Sequence, residues 1–230
     1  MNSPKIRYKN DFPVVTIGSA TETRLVVDAK ISDGQRPEYA SGLGDFVYMA
    51  HGVMEAGTGV PLHPHENLDV ISVMLSGSLY HEGTLSHEES FHGPGAIVQR
   101  SGTGMRHSEW NRTEEDMEVL QIWFQPPHTG LTPEARYFAV SEGNLQSIIG
   151  GDQNDTLPSN THGMIGLFQP AQTLTMRGES LLYLVKGRGL VNGTAVEAGA
   201  LVSAPALEFQ ATTDSFVFAV AAGDAVVAMH

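Results

Sequence analysis

No cysteine occurs anywhere in the 230 residues. A disulfide scaffold, a zinc ribbon, a thiolate nucleophile and a cysteine-ligated cluster all need that sulfur, so each is excluded. Any metal bound by this chain must be held by nitrogen and oxygen. Positive charge is also scarce: 13 Lys+Arg stand against 26 Asp+Glu, a formal net charge of −13. Contact with a phosphate backbone needs clustered Lys and Arg that release counterions, which argues against direct nucleic-acid binding and against an anionic membrane surface. No apolar run approaches the ~20 residues that span a bilayer, and Met1 to Asp11 (MNSPKIRYKND) lacks the apolar stretch of a secretory signal. These absences predict a soluble cytoplasmic protein.

What is present is turn punctuation. The 25 glycines and 12 prolines fall at short intervals between β-branched and aromatic runs, which predicts an all-β chain. Strand-length segments include Phe12 to Ile17, Leu68 to Leu75, Ala96 to Gln99, Val119 to Phe124, Leu181 to Val185, Ala200 to Ser203 and Phe216 to Ala219. Helix signals are thin. Ser141 to Ile149 has a Ser start and Gly150 after it, but Gly143 interrupts it, so at most a short turn is expected there.

The chain also repeats a plan. Residues 70–77 (VISVMLSG) resemble 181–187 (LLYLVKG), and each is followed by a polar hairpin and a Gly-Ala-aliphatic strand at Gly95 or Gly199. A strand, a glycine turn, a hairpin and a returning strand account for both copies, with loop length absorbing the difference. Two β-barrels of similar plan are therefore expected: residues 1–145, a polar linker over 146–160, and residues 161–230.

Histidine is unevenly spread. Seven of the ten (His51, His63, His65, His81, His87, His92 and His107) lie in residues 51–107, where even spacing would place about 2.5. Two triplets carry chemistry: His63-Pro64-His65 and His107-Ser108-Glu109. Side chains at i and i+2 of a strand share a face, so each triplet aims two ligating groups in one direction. If the two strands lie side by side, three imidazoles and one carboxylate converge and leave one or two positions open on a first-row divalent ion. A lone His-x-His is more often two surface histidines; two triplets, each flanked by turn glycines (Gly57, Gly59, Gly102, Gly104), balance the two readings evenly. His81, His87 and His92 read as exposed residues of the hairpin, with His81 the best placed to line a pocket, and His51 has no partner at the right spacing.

The stretch Gly-Val-Pro-Leu-His63-Pro-His65, then Leu-Ser-Gly77, Pro94-Gly95, Ser101-Gly-Thr-Gly-Met-Arg-His107-Ser-Glu109-Trp-Asn, and Leu120-Gln-Ile-Trp-Phe-Gln-Pro resembles the pirin family of the cupin superfamily, in particular its bacterial quercetin 2,3-dioxygenase-like branch. The resemblance runs from about residue 55 to 137 and again over 185–222. It implies a bicupin, two jelly-roll-like β-barrels in one chain, with a divalent metal in the N-terminal barrel alone. The implied ligands are His63, His65, His107 and Glu109, and the implied metal is Fe(II), with Mn, Co, Ni, Cu and Zn as alternatives. The chain departs from the family in having Glu66 where a basic residue usually stands, Asp69 where Glu is usual, and no aromatic His-Phe-Ser-Phe signature in residues 1–30.

The expected activity is a dioxygenase that opens a flavonol-like or other enolisable aromatic substrate with O2, with Glu109 as a switchable ligand and proton acceptor. The family is also described as metal-dependent binding or regulatory proteins that act through a protein partner, and that reading stands beside the first. A cupin isomerase and a barrel with a vestigial site are further alternatives. Val70, Val73, Leu75, Leu120, Ile122 and Phe124 are the candidate apolar wall of the barrel, and a monomer is expected.

Overall fold

The computed structural model describes residues 4–17, 20–34, 36–85, 89–151 and 154–230. His87 and residues 152–153 of the expected linker lie outside them. The described chain is all-β apart from a three-residue turn of 3-10 helix at Lys9–Asp11, and it divides into two units: Phe12–Ala139, and Met1–Asp11 together with Val140–His230. Among the described residues no helix is long and apolar enough to cross a membrane.

The Phe12–Ala139 unit contains two antiparallel sheets. The larger has the order Glu134–Ala139, Gly95–Arg100, Asp69–Met74, Met117–Phe124, Phe46–Met54, Ala20–Val27, Val14–Ile17; the smaller runs Gly59–His65, Met105–Trp110, Ser78–Gly83, Glu89–His92. Met54, Met74, Ile97 and Met117 from the first sheet pack on Leu79 from the second, so an apolar cluster joins the two at one end. Asp69–Met74 and Gly95–Arg100 are buried along their whole lengths, although each carries polar residues. Asp69 and Arg100 are cross-strand neighbours, and the guanidinium grips the carboxylate through two bonds of 2.9 and 2.6 Å. The fork geometry neutralises two buried charges that would be costly alone.

The other unit is one nine-stranded sheet with the path Asn144–Ile149, Thr161–Phe168, Ser215–Ala222, Thr173–Lys186, Ala200–Ala211, Arg188–Val191, Thr194–Glu197; Lys5–Tyr8 adds to Ala200–Ala211, and Val226–Met229 to Thr173–Lys186. Its interior is apolar, built from Met164, Phe168, Leu174, Leu182, Val202, Phe209 and their neighbours. Phe168 and Phe209 meet edge to face at 5.6 Å, the arrangement ring quadrupoles favour.

This division differs from the expected one at two places. Residues 5–8 pair with residues 200–203, so the first residues of the chain belong with the last third. Asn144–Ile149, expected as a turn and the start of a linker, is a strand paired with Thr161–Phe168. Both pairings are long-range, and neither has a local signal.

The repeated plan appears in both units. Asp69–Met74 leads through Gly77 to the hairpin Ser78–Gly83/Glu89–His92 and back along Gly95–Arg100; Thr173–Lys186 leads through Gly187 to Arg188–Val191/Thr194–Glu197 and back along Ala200–Ala211. The flanking strands pair antiparallel in each copy. Gly77 and Gly187 have φ of +76° and +99°, a conformation glycine adopts without strain.

Candidate metal centre

Gly59–His65 is an edge strand, and Pro61 and Pro64 fit there because the edge leaves backbone N–H groups without ladder partners. It pairs antiparallel with Met105–Trp110, with His107 opposite His63 and Met105 opposite His65. His63 and His65 share a face through their i, i+2 spacing, and the register brings His107 onto that face. One nitrogen from each of the three rings falls in a group spanning no more than 4.8 Å, and the ring centroids are 4.5 to 4.9 Å apart.

The hydrogen bonds orient the rings. His63 Nδ1–H donates to the carbonyl of Pro61 at 2.9 Å, and His107 Nδ1–H donates to Oε1 of buried Gln99 at 2.9 Å. Nε2 of each ring is thereby left with its lone pair, and these two atoms stand 3.1 Å apart. Two nitrogen ligands ~2.1 Å from a common ion would lie ~3.0 Å apart at a right angle and ~3.4 Å apart at the tetrahedral angle. The observed separation falls between those limits. Burial holds the His65 pKa down to about 4, helped by the imidazoles of His107 and His63; burial holds His107 down to about 3, helped by His63 and His81. Both are neutral at pH 7 and able to ligate. The donor set fits a divalent ion: three imidazoles, no sulfur, and ring nitrogens converging where cations would repel.

Glu109 is buried beside this group. The ladder slips by one residue between His107 and Glu109, so Glu109 faces Val60 across the strand pair rather than Pro61. The Ser72 hydroxyl donates to Glu109 Oε1 and also lies 3.2 Å from Gln121 Oε1. No other described residue hydrogen-bonds the carboxylate, and the three-nitrogen group does not include it.

A cavity of about 430 Å³ opens at the histidines, and His63, His65 and Glu109 line it on one side. Val119, Gln121, Trp123, Tyr48 and Met54 form much of the other side, with Glu22 and Arg24 beyond them. The expected wall residues Val70, Val73, Leu75, Leu120, Ile122 and Phe124 are absent from the lining. In Met117–Phe124 the alternate set faces the cavity, because a shift of one residue along a strand exchanges its faces. Trp123 stacks on its cross-strand partner Tyr48, with ring centroids 4.3 Å apart and planes 23° from parallel.

Residues 33–124 match the family model for Pirin. Over that segment the chain is similar to the Pirin family. It is 27% identical over 179 residues to quercetin 2,3-dioxygenase of Escherichia coli strain K12, a match covering 72% of this chain and 77% of that protein. A second quercetin 2,3-dioxygenase, from Escherichia coli O157:H7, is 33% identical over 106 residues, covering 45% of this chain and 46% of its relative. The fold is that of the bacterial pirin YhhW from Escherichia coli, solved in complex with nickel(II): the TM-score is 0.80 at 20% identity, covering 95% of this chain and 98% of that one.

The matched segment contains all four residues singled out from the sequence. It also contains partners that pattern alone does not reveal. Gln99 sits on a strand that reads as a plain apolar run, yet its Oε1 lies 2.9 Å from His107 Nδ1 and 3.1 Å from His81 Nε2. His81 is fully buried behind His107 and does not line the cavity. Burial also lowers its pKa, with Glu109 and Gln99 opposing. His51 is buried 3.6 Å from Glu118, and His92 meets the Ser78 hydroxyl at 2.7 Å. Of the departures from the family pattern, Glu66 is exposed, whereas Asp69 is the buried partner of Arg100.

Proposed function

We propose that this chain is a metal-dependent dioxygenase of the cytoplasm that opens a flavonol-like or other enolisable aromatic substrate with O2. The observation that carries the reading is the convergence of three imidazoles at one side of a largely apolar cavity with a buried carboxylate beside them. Its support is the likeness to quercetin 2,3-dioxygenases. His63, His65 and His107 would hold the ion, with Fe(II) first and Mn, Co, Ni, Cu and Zn as alternatives. When bound, such an ion supplies a Lewis-acid site for a substrate oxygen and a route to O2 chemistry.

The chain's own residues supply the rest. Glu109 is positioned to accept the proton of the substrate's enolic hydroxyl: Ser72 occupies Oε1, and Oε2 is left for the incoming hydrogen. Glu109 is also the candidate fourth ligand when no substrate is present. Val60, Leu79 and Val119 keep water from the reacting end, and the stacked Tyr48–Trp123 pair offers a flat surface to an aromatic ring.

Oxygen uptake with quercetin tests the reading. The wild type should consume O2 in the presence of a divalent ion, and Glu109→Gln should lose about two orders of magnitude or more in kcat. A wild type with no turnover under any of these metals would instead favour a metal-dependent binding protein that acts through a partner.

A further inference from the structure

The wall opposite the histidines contains a polar pair that the proposed reaction does not use. Glu22 and Arg24 sit two residues apart on Ala20–Val27, in the larger sheet, whereas the histidine strands belong to the smaller one. Both line the cavity. They also lie outside the segment that matches the pirin family.

Their hydrogen bonds are half used. Arg24 Nε donates to Glu22 Oε1 at 2.8 Å, and the Tyr48 hydroxyl donates to the same oxygen at 2.8 Å. Burial raises the Tyr48 pKa, and Glu22 adds to that rise, so the phenol stays protonated and keeps donating. Arg24 also interacts with the Tyr48 hydroxyl, while among the described residues no side-chain hydrogen bond is recorded to Glu22 Oε2. The cavity wall therefore presents a guanidinium and a carboxylate oxygen side by side. Among the described residues, the buried indole N–H of Trp123, stacked on Tyr48 beneath them, has no hydrogen-bond partner.

We infer that Glu22 and Arg24 form a recognition subsite for a neutral hydroxylated aromatic ring, with a vicinal dihydroxyl as its preferred occupant; the inference rests on the aromatic-substrate reading above. One hydroxyl donates to Glu22 Oε2 while its neighbour accepts from the Arg24 fork. The charge balance excludes a carboxylate as the preferred group. Glu22 already offsets Arg24, and its free oxygen would face the incoming anion. A site built to hydrogen-bond a hydroxyl discriminates against the analogue lacking it; here both side chains are half-buried, so the discrimination is moderate. The volume of about 430 Å³ suits a ligand that reaches from the histidines on one sheet to this pair on the other.

Anaerobic titration of the purified chain, read by quenching of tryptophan fluorescence, separates the outcomes. The probes are quercetin, whose outer ring carries two vicinal hydroxyls, and 3,5,7-trihydroxyflavone, whose outer ring carries none. The wild type should bind quercetin about tenfold or more tightly than the second probe. Arg24→Met should reduce that ratio to less than about threefold while leaving affinity for 3,5,7-trihydroxyflavone unchanged. Glu22→Gln should also reduce it, and serves if the first variant does not fold. Equal wild-type affinities, or a ratio retained in both variants, would overturn the subsite. Oxygen uptake is the independent arm. Turnover of both flavonols with no preference removes the subsite and leaves the reaction standing, whereas selective binding without oxygen consumption removes the reaction and leaves the subsite.

Discussion

The two units share a strand, glycine, hairpin and returning strand, yet their interiors are opposites. Every buried charged or imidazole side chain among the described residues (His51, Asp69, His81, Arg100, His107 and Glu109) lies in Phe12–Ala139. The buried polar side chains of the other unit are the hydroxyl residues Ser147, Thr156, Thr161, Ser180 and Ser215. In that unit the interior positions are filled by side chains such as Leu182, Phe209 and Val217, which supply stability by excluding water. In the first unit the same plan leaves a cavity and lines it with groups that need partners. A shared topology thus serves a packed core in one case and a reactive site in the other, and the difference lies in which inward positions carry polar residues.

Four measurements would break or sharpen this contrast. The largest expected effect is on stability. Arg100→Met strands the Asp69 carboxylate in the core, and chemical denaturation should show a loss of about 3–5 kcal/mol. Ser180→Ala, in the other unit, removes only a hydroxyl bond to the Gly178 carbonyl and should cost about 1 kcal/mol. Similar losses from the two variants would erase the distinction between the interiors.

Gln99→Met keeps the volume but takes away the acceptor that holds the His107 Nδ1–H. Metal affinity, measured by competition with a chromophoric chelator, should fall about 10–100-fold, with Ser180→Ala unchanged. The smallest effect is the pH response of metal-free protein. His65 and His107 have folded-state pKa values of about 4 and about 3, below the ordinary 6.5, because burial disfavours their charged forms. The unfolded chain then binds more protons than the folded one, and stability falls as pH drops from 6.5 toward those values. Denaturation at several pH values between about 5 and 7 should show this slope, and His107→Gln should reduce it by about one proton.

Much of this was legible from residue order. Turn glycines separating β-branched runs identify an all-β chain, and the i, i+2 spacing in His63-Pro64-His65 aims both rings at one face, whereas the slip after His107 leaves Glu109 outside the three-nitrogen group. What escaped depends on partners distant in sequence. Lys5–Tyr8 looks like an unremarkable polar start until it finds residues 200–203. Leu120, Ile122 and Phe124 look like the better cavity wall because they are more apolar, but register turns Val119, Gln121 and Trp123 inward. Gln99 and Ser72 lie in buried strands, and only the strands' neighbours show that each holds a site residue in place. Glu22 and Arg24 fall in a region with no family signature, so only the cavity brings them into the same site as the histidines.

Metal content per chain, by elemental analysis of protein purified without a histidine tag, tests most directly the claim that the chemistry is confined to one unit. The wild type and His162→Ala, which removes a histidine of the other unit held 2.8 Å from the Ser147 hydroxyl, should each retain close to one divalent ion. His107→Ala should retain almost none. Metal kept by His107→Ala, or lost from His162→Ala, would contradict the account.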